Sequence, residues 1–283
     1  MFSFGKLIKL SAGFGTAASI VLYFNNDNLN KRVFCATLVD NTYDSSNLNA
    51  LPQTITKWDY NWDKRDCTRR KDDNSRDDKS RCIRHIILIR HGQYNLSGET
   101  DQERCLTELG KSQAILTGKR LKELNLPYTK LVHSTMCRAI ETAKLIHAFI
   151  PDVPTKDCKL LEEGAPIIPE PPVGHVKSPH HFHQDGPRIE AAFRKFFYRA
   201  ESKQEYDTYD IIVCHANVIR YFVCRALQYP PEGWLRLSLR HASITWLSIL
   251  PDGRVLMRCY GDAGFMPPTA LTTSNRRRKK IQY

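Results

Sequence analysis

The amino-acid sequence predicts an α/β protein: a three-layer sandwich with a mostly parallel sheet, helices on both faces and an antiparallel edge hairpin. Three observations lead to this fold class. From residue 84 onward, short apolar runs alternate with segments of helical periodicity. The runs IILI and IIVC are apolar at every position, as in strands that are buried on both faces. Near the carboxyl end, a Pro-Asp-Gly turn separates two strand-like runs and predicts a hairpin.

The predicted elements follow this periodicity along the chain. Apolar residues at helical spacing predict a helix over 107–124, and Pro151 ends the next helix. Residues 158–187 are rich in Pro, Gly and His, and we expect a long loop there. In chain order, we expect strands at 85–89, 130–134, 210–214, 243–250 and 254–260, and helices at 107–124, 137–150, 188–203 and 217–228.

The composition limits the classes of function. The net charge of +12 favours acidic partners, and part of this charge lies in a basic tail over 269–283 that we expect to be solvated. The nine cysteines include no CxxC pair, which argues against a disulfide framework or a zinc site. The four histidines between 175 and 183 lack accompanying Cys or carboxylate ligands. We therefore predict no metal and no cofactor, and no nucleic-acid partner because base-stacking motifs do not accompany the basic residues.

The amino-terminal residues indicate a membrane anchor. Residues 1–24 contain no acid, and the run from Leu10 to Phe24 is uncharged. A helix needs roughly 20 apolar residues to cross a bilayer, so this run is short but sufficient if flanking residues snorkel. No small-residue cleavage site follows soon, which argues against a secretory signal. We expect residues 1–24 to form the anchor, with residues 7–24 in contact with the membrane.

A polar linker over 25–81 contains the segment WDYNWD at 58–63. Exposure of Trp58 and Trp62 would leave two large apolar faces in water, so we expect both to dock on a protein surface. Their spacing does not distinguish docking on this chain's own domain from docking on another copy of the chain.

Two predicted strands end on polar groups. IILI runs into Arg90, His91 and Gly92, and IIVC runs into His215. Ligands bind beyond the carboxyl ends of the strands in such sheets, where the third strand also leads toward Arg138. Arginine matches phosphate oxygens, a neutral histidine can attack phosphorus, a second, cationic histidine can donate, and a carboxylic acid can protonate the leaving oxygen. These strand ends predict a site for phosphoryl transfer.

The combination of motifs resembles the histidine phosphatases, the phosphoglycerate-mutase-like superfamily, over roughly residues 82–268. The resemblance implies that His91 is the nucleophile. The matching segments are the Arg90-His91-Gly92 signature, LTELGKSQA (106–114), HSTMCRAIETA (133–143) and VCHAN (213–217). The other residues implied to bind phosphate or substrate are Arg90, Arg138, His215, Gly92, Gln93, Asn95 and Asn217.

The family pattern also implies an acid in LLEEG. Glu163 is favoured because the family's acid directly precedes glycine, but the motif alone does not separate it from Glu162. The mutases of this family carry an E-R-x-Y-G segment after the acid, and GAPIIPEPP (164–172) replaces it here. This departure weighs against a mutase.

A narrower resemblance to mitochondrial serine/threonine protein phosphatases of this superfamily is carried by WDYNWD, by 164–172, by 214–239 and by GDAGFMPP (261–268). It implies a membrane-anchored mitochondrial phosphatase, with the outer membrane favoured, that acts without metal on phosphoproteins. The alternatives are a non-catalytic oligomeric scaffold that binds phosphorylated partners and a small-molecule phosphatase. The residues implied to form homo-oligomers are Trp58, Asp59, Asn61, Trp62 and Asp63.

Overall fold

A computed structural model describes residues 57–65, 81–172 and 179–273. The predicted anchor, most of the linker, His175 and the tail beyond 273 lie outside these residues. Within the described part of the chain, no helix is both long and apolar enough to cross a membrane. The strands are β1 (Arg84–Arg90), β2 (Tyr128–His133), β3 (Thr155–Asp157), β4 (Thr208–Cys214), β5 (Ile244–Ile249) and β6 (Val255–Asp262). The α-helices are α1 (Glu108–Leu124), α2 (Cys137–His147), α3 (Pro179–Phe196) and α4 (Ala216–Ala226).

The strands form one sheet in the order β3-β2-β4-β1-β5-β6. The first four strands in this order are mutually parallel, whereas β5 runs antiparallel to both β1 and β6. The predicted fold class, with a mostly parallel sheet and an antiparallel edge hairpin, is confirmed. The prediction missed β3 because its three residues are polar and exposed, so no apolar pattern marks them.

Two apolar cores lie on opposite faces of the sheet. Successive side chains of a strand point to opposite faces. Ile86 and Leu88 of β1 therefore belong to the core that contains Phe193 of α3 and residues of α4. Ile87 belongs to the core that contains Leu121 of α1 and residues of α2. Burial on both faces explains why this strand is apolar at successive positions.

The helix predicted over 188–203 is wrong at both ends. α3 begins at Pro179, inside the predicted loop, and carries Pro187 in its interior. A proline removes one backbone donor, but it does not prevent the apolar residues that follow from packing in the core. The helix ends at Phe196, and the backbone N–H of Arg199 then donates to the Asp63 carboxylate at 2.8 Å. Asp63 is distant in the sequence, so local periodicity cannot reveal that its carboxylate holds the backbone just after the end of the helix.

Candidate active site

The sheet brings the two histidine segments together at its carboxyl edge. β1 and β4 are parallel neighbours, with Arg90 in register with Cys214. The next residues, His91 and His215, are both buried, and their ring centroids lie 5.1 Å apart. Nε of Arg138, a buried residue of α2, lies 3.4 Å from Nε2 of His91. The structure thus places the predicted histidines and arginines around one point.

His91 is neutral, and its unprotonated nitrogen can be identified. Nδ1 lies 2.8 Å from the carbonyl oxygen of Gly92. A carbonyl only accepts hydrogen bonds, so Nδ1 carries the proton and Nε2 carries the lone pair. Burial lowers the pKa of His91 well below its usual value, and the nearby His215, Arg90 and Arg138 lower it further. Nε2 is therefore available as a nucleophile at neutral pH.

Arg90 is held by two acceptors from the segment before β5. Its Nη1 donates to the carbonyl oxygen of Leu239 at 2.7 Å, and its Nη2 lies 3.0 Å from Nε2 of His241. Burial lowers the pKa of Arg90 to about 10. The guanidinium remains protonated at neutral pH and can bind an anion.

Arg138 is held by neighbours from its own segment and from the loop after β1. Its Nη1 pairs with Asp101 at 3.4 Å, and its Nη2 donates to the sulfur of Met136 at 3.4 Å. The guanidinium carbon lies 4.7 Å from the ring centre of Tyr94, which favours a cation–π contact. Asp101 also accepts from the backbone N–H of Cys137 at the start of α2, at 2.8 Å. The same carboxylate therefore caps the helix and orients its arginine.

The environment of His215 disfavours a cationic ring in the free protein. Burial lowers its pKa well below the usual value, and Arg138 and Arg90 lower it further. Donation from a cationic second histidine to the phosphoryl oxygens stays a prediction. Nε2 lies 2.8 Å from Oγ of Ser134, whereas Nδ1 is buried without a hydrogen-bond partner among the described residues. The serine hydroxyl can donate to Nε2, which leaves an N–H at Nδ1 for a ligand.

The two candidate acids have different environments. Burial raises the pKa of Glu163 above its usual value, although Arg138 and Arg90 oppose this shift. Glu162 instead accepts a 2.5 Å hydrogen bond from the hydroxyl of Thr135. A raised pKa is what a general acid needs near neutral pH, so the structure favours Glu163 for this role.

Polar contacts hold the loop that carries these acids. The guanidinium of Arg188 donates to the carbonyl oxygens of Glu162 at 2.7 Å and of Glu163 at 3.3 Å. Asn217, a predicted substrate-binding residue, donates its side-chain amide to the carbonyl oxygen of Gly164 at 3.0 Å. In the free protein Asn217 therefore supports the acid loop, and its role in substrate binding stays a prediction.

Three other predicted pocket residues make contacts that organise the site. A Cβ at Gly92 would lie 2.5 Å from the carbonyl oxygen of Gly110, so the missing side chain lets α1 approach the end of β1. The side-chain oxygen of Gln93 accepts from the hydroxyl of Thr107 at 2.8 Å. Asn95 accepts from the backbone N–H two residues later at 3.1 Å. Their roles in substrate binding also stay predictions.

The tryptophan segment contacts its own domain in the single chain. The indole nitrogens of Trp58 and Trp62 donate to the carbonyl oxygen of Gly253 at 3.3 and 2.7 Å. Asp63 pairs with Arg199 at 2.8 Å, and both side chains are at most 9% exposed. Of the two alternatives left open by the sequence, the single chain adopts docking on its own domain, and docking on another copy stays a prediction.

Sequence reasoning missed three residues at the site, namely Tyr94, Asp101 and His241. The ring centroid of His241 lies 5.9 Å from that of His91, and His241 is 4% exposed. A signal for it exists in the topology. β5 runs antiparallel to β1, so the residues just before β5 lie at the edge where β1 ends.

The described residues contain no group of three or more His, Cys, Asp or Glu side chains that could hold a metal ion. Within the predicted histidine cluster, His180 and His181 lie in the first turn of α3 with ring centroids 6.2 Å apart.

Comparisons with known proteins agree with these features. The family model of the histidine phosphatase superfamily (branch 1) matches residues 86–165 and 174–261. The mitochondrial serine/threonine-protein phosphatase PGAM5 of Homo sapiens is 51% identical over 232 residues, which cover 77% of this chain and 80% of that protein. The mitochondrial serine/threonine-protein phosphatase Pgam5 of Drosophila persimilis is 47% identical over 275 residues, covering 91% of this chain and 93% of that protein. Among solved structures, a phosphoglycerate mutase from Plasmodium falciparum is 34% identical with a TM-score of 0.46, covering 64% of this chain and 91% of that chain.

Proposed function

This chain belongs to the histidine phosphatase superfamily, and we propose that it hydrolyses phosphoserine and phosphothreonine in proteins through a phosphohistidine formed on His91. Two observations support the proposal. Relatives that share 51% and 47% of the aligned residues are serine/threonine-protein phosphatases. The site also combines a neutral histidine with two buried guanidiniums, as phosphoryl transfer requires.

In the first step, Nε2 of His91 forms a bond to phosphorus while the bond from phosphorus to the serine or threonine oxygen breaks. Arg90 and Arg138 donate to the phosphoryl oxygens and stabilise the negative charge on them. The hydrogen bond from Nδ1–H to the carbonyl of Gly92 keeps the ring oriented and supports the positive charge that it gains. Glu163 gives its proton to the departing oxygen, which leaves as a hydroxyl group.

In the second step, water replaces the imidazole on phosphorus. The Glu163 carboxylate takes a proton from the water as its oxygen bonds to phosphorus, and the bond from Nε2 to phosphorus breaks. Inorganic phosphate is released, and His91 and Glu163 regain their starting protonation states. The sum of both steps is the hydrolysis of one phosphate ester.

The observation that carries this proposal is the tautomer of His91. Its Nδ1 proton is committed to Gly92, so the lone pair of Nε2 points to the side on which Nε of Arg138 lies 3.4 Å away. The direct test measures hydrolysis of a phosphothreonine peptide by the full chain in detergent and chelator, with His91→Ala and with His183→Ala as an exposed control. We expect His91→Ala to abolish turnover and His183→Ala to leave it unchanged.

Three other outcomes separate the alternatives. Activity that survives His91→Ala would overturn the proposal. Hydrolysis of small phosphate esters without hydrolysis of the peptide would favour a small-molecule phosphatase. A folded, assembled wild-type protein that binds the phosphopeptide without hydrolysing it would favour a scaffold.

We also propose that residues 7–24 anchor the protein on a mitochondrial membrane, with the outer membrane favoured. The relatives named above are mitochondrial proteins, and the run from Leu10 to Phe24 carries no charge. Fractionation of cells that express the full chain or a chain lacking residues 1–24 tests this. We expect only the full chain in the mitochondrial membrane fraction, with its phosphatase domain accessible to protease added to intact mitochondria. Equal recovery of both chains in the soluble fraction would contradict the anchor.

We propose in addition that residues 58–63 assemble copies of the chain. Trp58 and Trp62 repeat at a spacing of four, and an exchange between chains could reuse the contacts that each tryptophan makes with Gly253. Deletion of residues 57–63 should lower both the sedimentation coefficient and the phosphatase rate. An unchanged assembly size and rate would contradict this role.

A further inference from the structure

We propose that His241 is a positioning residue that holds Arg90 in the phosphate site through a neutral hydrogen-bond acceptor, and that Thr272 fixes its tautomer. This inference rests on the proposed function, because it assigns Arg90 to the binding of a phosphoryl group. His241 belongs to none of the motifs that identified the site. Its place in the site follows from the contacts of its two ring nitrogens.

The protonation of His241 follows from its partners. Arginine has only donors, so Nε2 of His241, 3.0 Å from Nη2 of Arg90, must accept. A histidine that accepts at Nε2 and is neutral carries its proton on Nδ1. That proton points to Oγ1 of Thr272 at 2.8 Å. Burial and the charge of Arg90 lower the pKa of His241 to about 3, so the ring stays neutral at physiological pH.

A second chain of hydrogen bonds fixes Thr272. The side-chain oxygen of Gln113 accepts from the backbone N–H of Gln93 at 2.9 Å, which orients its amide group. The amide nitrogen then donates to Oγ1 of Thr272 at 2.8 Å and to the carbonyl oxygen of Ala270 at 2.6 Å. Oγ1 has two lone pairs and can accept from both Gln113 and His241. The segment around Thr272 thereby connects to Arg90 on one side and to the loop after His91 on the other.

The neutrality of this acceptor has a functional consequence. A carboxylate beside Arg90 would also orient the guanidinium, but its negative charge would offset the positive charge that attracts phosphate. A neutral imidazole orients the arginine and leaves that charge available. The carbonyl oxygen of Leu239, which also accepts from Arg90, is likewise neutral.

The test compares three substitutions of His241 by their affinity for inorganic phosphate, measured by titration calorimetry on the full chain in detergent. His241→Gln retains a neutral acceptor near the position of Nε2, His241→Glu offers a charged acceptor, and His241→Leu offers none. We expect His241→Leu and His241→Glu to weaken phosphate binding by about tenfold or more, because a hydrogen bond to a charged group has roughly this effect. His241→Gln should stay within about threefold of the wild type. The KM for a phosphothreonine peptide should rise more than kcat falls, which a general loss of folded protein would not produce.

Thr272→Val provides an independent arm. Without its acceptor, the Nδ1 proton of His241 can move to Nε2, where it would point at the donors of Arg90. We therefore expect weaker phosphate binding, although Thr272 does not touch the phosphate.

Wild-type affinity in His241→Leu or His241→Glu, or equal weakening by the Gln and Leu variants, would overturn the inference. If His241→Leu does not fold, equal affinities of the Gln and Glu variants would overturn it. A wild-type protein without His91-dependent turnover but with this pattern of affinities would refute the proposed function alone.

Discussion

Nε–H of Arg138 donates a 3.4 Å hydrogen bond to Nε2 of His91, so the guanidinium directly faces the nitrogen whose lone pair attacks phosphorus. α2 supplies the arginine, the residue directly after β1 is the histidine, and both are buried at the carboxyl edge of the sheet. Like charges at this distance would repel, and the lowered pKa of His91 avoids the repulsion. Because His91 is neutral, the charged Arg138 can lie beside it without repulsion, and Nε2 of His91 keeps the lone pair that attacks phosphorus.

Arg138→Lys should lower kcat/KM by about 100-fold, since an ammonium group cannot replace the planar fork that stabilises the transferred phosphoryl group. Arg120→Lys, on the exposed part of α1, is the matched control and should leave the rate unchanged. Steady-state kinetics on a phosphothreonine peptide measures both. A loss smaller than about threefold in Arg138→Lys would contradict the placement of this group on the phosphoryl oxygens.

Glu163→Gln should slow turnover by about 100-fold on a phosphoserine peptide, whose alkoxide leaving group needs a proton. An aryl phosphate with an acidic phenol as leaving group should show a much smaller loss in its first step. Glu162→Gln, which removes a partner of Thr135 instead, is the control and should have the smaller effect on both substrates. Pre-steady-state bursts separate the two steps, and the reverse ranking of the two variants would assign the acid to Glu162.

Stability should fall as the pH drops below 6.5. Burial lowers the folded-state pKa of His91, His215 and His241, whose ordinary value is 6.5, so the unfolded chain binds more protons below that pH. Each histidine contributes a slope of up to about 1.4 kcal/mol per pH unit, from 6.5 down toward its folded-state pKa. The raised pKa of Glu163 acts in the opposite direction at lower pH. Urea unfolding between pH 7.5 and 5.5 measures this slope of the unfolding free energy. His241→Gln should make the slope smaller, because it removes one of the three histidines. A free energy of unfolding that does not change with pH would contradict the burial of neutral histidines.

Asp63→Asn should destabilise the domain by about 3 kcal/mol, because it leaves the Arg199 guanidinium buried without a counter-charge. Asp252→Asn is the matched control. Its partner Arg254 is 58% exposed and Asp252 is 46% exposed, so its loss should cost less than about 1 kcal/mol. Chemical denaturation of the two variants gives the comparison. Equal effects would mean that the tryptophan segment does not dock on its own domain in solution.

Gly110→Ala should reduce both stability and activity. An added Cβ would overlap the carbonyl oxygen of Gln93, two residues after the nucleophile, and the resulting shift should cost about 1–3 kcal/mol. Gly233→Ala is the control, because its Cβ would lie 3.6 Å from the nearest atom, a side-chain carbon of Arg236. Thermal unfolding and peptide hydrolysis report the two effects, and a fully active Gly110→Ala would contradict the close approach of α1 to the site.

The strands of the core could be predicted because burial on both faces requires apolar residues at successive positions, as in β1 and β4. Polar residues at the ends of such strands then indicated the site at the correct edge of the sheet. The start of α3 could not be predicted in this way. In the sequence, Pro187 looks like the boundary of a helix, but in the structure the helix continues on both sides of it because its apolar residues pack in the core. The three exposed residues of β3 bear no pattern, because pairing with β2 alone makes them a strand.

The sequence by itself was sufficient to predict the fold class and to identify the polar residues that follow β1 and β4. Both depend on local apolar patterns, which show where the buried strands lie and where they end. Only the tertiary structure decided that Glu163 has the raised pKa, that His241 holds Arg90, and that the single chain docks Trp58 and Trp62 on Gly253. The physical reason is that desolvation and hydrogen bonding act between groups that are adjacent in space but distant along the chain. His241 is 151 positions from Arg90, and no pattern of neighbouring residues encodes that distance.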